Sequence, residues 1–167
     1  MNCTSDITHL PSKWSLFYHL PQNKSWDLAS YINVFDSIDT LEKLIAVNEH
    51  VSGNIVKYCM LFVMRKGVTP MWEDQKNRSG GCFSYKVVNN MVHDVWKELM
   101  YLLCTSKLTL NSNDMAKING ITISPKRNFC IVKIWLSDCS MQDPTSIVSL
   151  DNLTKLGCLF KKHQPEF

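Results

Sequence analysis

The 167-residue sequence has no C-x-x-C pair and no short Cys/His grouping, so zinc-held and dithiol classes have no ligand set to rest on. Its seven cysteines, at 3, 59, 82, 104, 130, 139 and 158, are odd in number and scattered, which reads as reduced thiols. An apolar N-terminal stretch with a basic flank is lacking, and no run approaches the roughly 18 apolar residues that a membrane span requires. Without a secretory signal, the Asn-x-Ser/Thr triplets at Asn2, Asn23, Asn77 and Asn152 carry no weight, and the expected compartment is cytosol or nucleus. Charge of one sign is scarce too: a net +3 and a pI near 8.4 permit an anionic ligand but fall short of the basic coat usual for duplex DNA. A glycine-rich phosphate loop is also missing.

What remains is a chain 45% hydrophobic and 20% charged, enough to bury one core without staples. Residues 1–11 read as a short polar tail and 12–167 as one domain, expected to be monomeric. Lys13 to Leu20 alternates, with Trp14, Leu16 and Tyr18 on one side, the period of a strand with one buried face. Asp39 followed by Glu42, with Leu41, Leu44 and Ile45 behind, predicts a first helix ending near Gly53. Lys57–Met64 and Cys82–Val88 read as strands separated by a long loop over Arg65–Gly81. From Asn90 onward, Val92, Val95, Trp96, Leu99, Leu102 and Leu103 keep helical spacing and predict a second helix. Ile118–Ser124 and Cys130–Leu136, rich in β-branched residues, predict a hairpin. Asp143-Pro144, with apolar positions running to Gly157, predicts a third helix over Asp143–Leu156. The order implies an α+β domain: an antiparallel sheet with three helices on one face and the other face free to bind.

The most unusual segment is Pro70-Met71-Trp72-Glu73-Asp74, a tryptophan and two carboxylates in a loop where no core demands an indole. A second tryptophan, Trp26, sits in the other polar loop beside Asn23 and Lys24. Loop tryptophans often fold back over a sheet, but two of them with an acid alongside suit a flat, cationic purine. Stacking contributes roughly 1–3 kcal/mol per base, and a ring charge such as N7-methylation supplies adds about 0.5–2 kcal/mol of cation–π attraction. A carboxylate accepts two hydrogen bonds from N1–H and the exocyclic amine of guanine, a contact adenine cannot make. Lys126 and Arg127, at the tip of the predicted late hairpin, are candidates for trailing phosphates. Glu73, Asp74, His93 and Asp94 are the residues an enzyme would need, but no metal cluster or phosphate loop accompanies them. Catalysis is therefore not expected, nor is a metal or other cofactor.

His9-Leu10-Pro11…Trp14, Lys24-Ser25-Trp26, Phe35-Asp36-Ser37-Ile38-Asp39, Pro70-Met71-Trp72-Glu73-Asp74-Gln75-Lys76-Asn77…Gly80-Gly81, Trp96…Glu98 and Ile134-Trp135…Cys139 occur in an order that resembles the cap-binding initiation factor 4E family over nearly the whole chain. The block from Pro70 to Gly81 is the specific part. The resemblance implies a curved antiparallel sheet backed by three helices on its convex face, with the 7-methylguanosine cap of messenger RNA in the concave one. It implies that Trp26 and Trp72 sandwich the methylguanine, that Glu73 bonds its N1 and N2 edge, and that Trp135 sits against the N7 methyl group. The implied partners are capped messenger RNA and a scaffold or repressor protein of translation, met by a face containing Pro11, Ile38, Glu42, Trp96 and Glu98.

Departures from the family pattern are as informative. Cys82 stands where an arginine usually follows the Gly-Gly pair, and Ile131 where a second basic residue flanks the late turn. Lys133, about 6.6 Å along the strand from Ile131 on the same face, or Arg127, is expected to replace the missing phosphate contact. On the helical side, Glu42, Lys97 and Tyr101 stand where the family has the tryptophan and leucines that receive a Y-x-x-x-x-L-Φ helix. Two roles follow: an initiation factor, or a cap-occupying repressor that does not recruit the scaffold. The stretch from Cys158 to Phe167 is expected to hold one strand, without the loop that borders the phosphates in the family.

Overall fold

The structure, a computed structural model, describes residues 6–167; the first five residues of the expected tail lie outside the described ones. Seven antiparallel strands form one sheet: β1 His9–His19, β2 Tyr31–Thr40, β3 Met60–Arg65, β4 Gly81–Val88, β5 Ile118–Pro125, β6 Phe129–Leu136 and β7 Leu159–Lys162. Their order across the sheet is β2-β1-β3-β5-β6-β4-β7. Three α-helices, α1 Leu41–His50, α2 Gly53–Tyr58 and α3 Val92–Cys104, accompany it. The α+β expectation is met.

Strand period two sorts the side chains. Leu61 and Val63 of β3, with Val132, Ile134 and Leu136 of β6, join the main core with Leu44, Val95, Trp96 and Leu99 of the helices. Phe62, Met64 and Trp135 point the other way and form a second, smaller cluster with Val68, against which Trp72 packs. That second face carries the candidate site. Register shifts in the β1–β2 and β5–β6 pairings mark the irregularities that bend such a sheet.

Several expected boundaries change. β1 starts at His9, inside the stretch read as tail. The first helix is capped by the Thr40 hydroxyl, which accepts from Lys43 N, rather than by Asp39. Gly53 does not end it but opens α2, whose Ser52 cap makes Lys57 and Tyr58 helical where a strand was expected. β2 went unread because it is an edge strand whose exposed and buried positions do not alternate cleanly.

The predicted third helix, Asp143–Leu156, is incorrect. Asp143 does cap, accepting from Thr145 N, but only a single 3-10 turn, Pro144–Ser146, follows. Beyond it Ile147 bridges Thr109 and Leu150 bridges Leu153, so these apolar residues fill the core from extended backbone. The third helix is instead α2, ahead of β3.

The candidate base-binding cleft

Loop 66–80 places Trp72 and Glu73 because its backbone is tied from inside. Asn77, fully buried, donates through Nδ2 to the carbonyls of Thr69 and Met71, both at 2.8 Å. Its Oδ1 accepts from Asn119 Nδ2 of β5 at 2.9 Å, which locks the loop to the sheet. Asp74 accepts from Thr69 N and Oγ1 at 2.8 Å and from Lys76 N at 2.8 Å. Partial burial raises the Asp74 pKa, but these hydrogen bonds outweigh it and hold the carboxyl below its ordinary value. Asp74 is therefore a loop fastener, not a free acid.

The Gly80-Gly81 pair has a packing reason. A Cβ on Gly80 would lie 1.8 Å from Leu136 O, and one on Gly81 2.6 Å from the Phe160 ring, so only glycine lets β6 and β7 approach here. That approach brings His163, just past β7, beneath the loop: its backbone N donates to Gly80 O at 3.0 Å and its Nδ1 donates to Asn77 O at 2.7 Å. The imidazole stacks on Trp72 (centroids 5.6 Å, planes 17° apart) and packs on Trp135 at 5.0 Å.

Across the sheet, Trp26 follows β1 and is 54% exposed. Its indole lies on the buried ring of His19, with centroids 4.2 Å apart and planes 10° apart, and His19 Nε2 donates to Ser25 O at 2.8 Å. Tyr31 packs edge-on against His19 and against Phe62. Burial, with Glu73 nearby, pushes the Tyr31 phenol up to about 12.

Between these walls lies a cavity of about 690 Å³ lined by Trp26, Trp72, Glu73 and Trp135, with Tyr31, Met60 and Phe62 as its floor and Lys126 and Lys133 on one side. The structure thus places Trp26, Trp72, Glu73 and Trp135 on one cavity. Trp135 is 5% exposed and donates from Nε1 to Thr122 Oγ1 at 2.7 Å, leaving it as a fixed wall.

On the basic side, Lys126 and Lys133 line the cavity, while Arg127 does not. Lys161 was not singled out from sequence, yet β7 pairs it with Cys82 and its ammonium lies 5.7 Å from the Trp72 ring centre. Burial raises the Cys82 thiol pKa, against the pull of Lys133 and Lys161. The C-terminal segment also reaches the cleft: Glu166 N donates to Glu73 Oε1 at 3.2 Å, and Glu166 and Phe167 join the lining. His19, Tyr31, Asn119 and His163 have no role in the sequence reading, since each owes its place to strands brought together from afar in sequence.

The helical face needs correcting. Ile38 and Trp96 are 0% exposed and belong to the core, so neither is available to a partner; Pro11, Glu42 and Glu98 are exposed. Glu42 accepts from Thr8 N at 3.2 Å, and Lys97 pairs with Glu49 at 3.7 Å. His93 docks on Val51 O and Asp94 occupies the first turn of α3, and neither lines the cleft. No described helix is long and apolar enough to cross a membrane.

The family model "Eukaryotic initiation factor 4E" matches residues 9–164. An initiation factor 4E homolog of Acanthamoeba polyphaga mimivirus is 44% identical over 62 residues, 37% of this chain and 23% of the viral protein. The initiation factor 4E of Eremothecium gossypii is 27% identical over 164 residues, 93% of this chain and 71% of that protein. Among solved structures, a schistosome initiation factor 4E complexed with m7GpppG and 4E-BP superposes with a TM-score of 0.71 at 24% identity, covering 81% of this chain and 75% of the other.

Proposed function

The chain belongs to the eukaryotic initiation factor 4E family, a family of non-enzymatic cap-binding factors of translation initiation, and from that premise we propose that its cleft binds the 7-methylguanosine cap of messenger RNA. The observation that carries this reading is the convergence of Trp26, Trp72 and Glu73 on one cavity. The methylated base stacks between the two indoles, and Glu73 accepts its N1–H and amine. Tyr31 stays un-ionised beside Glu73, which with Asp27 and Glu166 is one of three acidic side chains among the described lining residues. Trp135 forms the wall for the methyl group. Lys126 and Lys133 take the phosphates, and Lys161, next to Cys82, supplies the positive charge that the usual arginine would bring.

Quenching of tryptophan fluorescence by 7-methyl-GTP against GTP tests the reading: the methylated nucleotide should bind far more tightly, and equal quenching overturns it. Trp72→Ala should cost at least about 2 kcal/mol of binding, the sum of a stacking face and its cation–π share. A second role, a cap-occupying repressor, is favoured over scaffold recruitment by the helical face, where Ile38 and Trp96 are buried and Glu42 and Lys97 are charged. Pull-down with a Y-x-x-x-x-L-Φ peptide decides between them; strong capture restores the initiation role.

A further inference from the structure

Both tryptophans of the cleft rest on a histidine. His19 and His163 are each 2% exposed, and neither lines the cavity that Trp26 and Trp72 line, so each imidazole braces its indole from behind. Each ring is held by one hydrogen bond to a main-chain carbonyl, His19 Nε2–H to Ser25 and His163 Nδ1–H to Asn77. We propose that His19 and His163 are positioning residues whose rings set the two tryptophans for the base, and that protonating His163 weakens 7-methylguanine binding, making cap recognition acid-sensitive. The proposal rests on the reading that these tryptophans hold the base.

The chemistry follows from the surroundings. With Nδ1–H donated to Asn77, His163 Nε2 is a buried lone pair with no partner, and a proton added there meets no acceptor. The charged groups facing His163 are Lys133 of β6 and Glu73 of the loop, with Lys161 of β7 above the Trp72 ring. Burial above all, helped by Lys133, holds the His163 pKa below the ordinary 6.5, against the Asn77 carbonyl and Glu73. The titratable group packed on His19 is the Tyr31 phenol, which stays neutral. None of the ion pairs among the described residues involves either histidine. An imidazolium behind an indole and a cationic purine in front of it draw on the same π density. Because the folded pKa of His163 is lowered, below the ordinary imidazole value the unfolded chain takes up a proton that the braced ring refuses, so the brace weakens as pH falls. The base gains rather than loses its N1 proton on acidification, so a loss of affinity belongs to the protein.

The test is fluorescence titration of the full chain with 7-methyl-GTP from about pH 7 to about pH 5.5, the range in which histidine titrates. Wild-type affinity should fall as pH falls, with a slope of at most about tenfold per pH unit, the limit for the one proton of His163. His163→Phe keeps the stack on Trp72 without titrating and should lose the slope even where its overall affinity drops, whereas His163→Ala should weaken binding throughout. A flat wild-type profile, or a His163→Phe variant with the wild-type slope, overturns the proposal. Failure of the base-binding reading shows separately, as no preference for 7-methyl-GTP over GTP at pH 7. In that case, or if the variants do not fold, the His163 Cε1–H resonance of the ligand-free protein decides: titration below the ordinary range upholds the brace, and titration at the ordinary value overturns it.

Discussion

Asp74 shows how single residues divide the labour in this cleft. Next to Glu73 in sequence, it spends its carboxylate on Thr69 and Lys76, while Glu73 faces the cavity. Asp74→Asn should therefore destabilise the loop by about 1–2 kcal/mol, read as a lowered urea midpoint, and weaken cap binding only through Trp72. Because the folded pKa of Asp74 is depressed, its contribution is present above the unfolded value of 3.8 and is lost as pH falls through the folded one; the Asn variant should lack this part of the acid-unfolding profile. Glu73→Gln, by contrast, should leave stability within about 0.5 kcal/mol while losing discrimination of 7-methyl-GTP from a methylated adenine nucleotide. Trp26, Trp72 and Glu73 were legible in sequence because an indole in a polar loop lacks a structural reason. His19 and His163 were not, because a histidine in or beside a strand carries no local sign of what register will lay against it.

Among the elements, the late hairpin and α3 were readable locally, since β5 and β6 are rich in β-branched residues and α3 buries one stripe. The segment after Asp143 was not. Its cap and proline are true signals of a turn that could start a helix, but Thr109 and Leu153 recruit the following residues into bridges. Tertiary pairing overrode a local cue. α2 was hidden for a related reason: six residues are too few to show a helical period, and its tail ran into the apolar start of β3. The segment past β7 also carries an expectation. Its Glu166 N–H occupies the Glu73 oxygen that a guanine edge needs, and Arg78 holds it by donating to Phe167 O at 3.3 Å. Removing residues 164–167 should tighten 7-methyl-GTP binding by a few-fold, about the net worth of one exposed hydrogen bond; isothermal titration of the two forms reads it directly, and weaker binding would show the segment to be part of the site.

For the molecule as a whole, the cleft crosses the sheet from the β1 side, where Trp26 stands, to the β4–β7 side, where Trp72 stands. A nucleotide seated there ties distant strands together, so saturating 7-methyl-GTP should raise the unfolding temperature in proportion to the logarithm of its concentration, and GTP should do so far less. The two sides are unequal. Trp72 is fixed by a loop pinned through Asn77 to β5 and by the imidazole beneath it, whereas Trp26 is more than half exposed on a short polar turn anchored at Ser25. One jaw is held by more contacts than the other. The less fastened side should then release a bound cap first, and substitutions in residues 21–25 should change the dissociation rate while leaving the identity of the preferred base untouched.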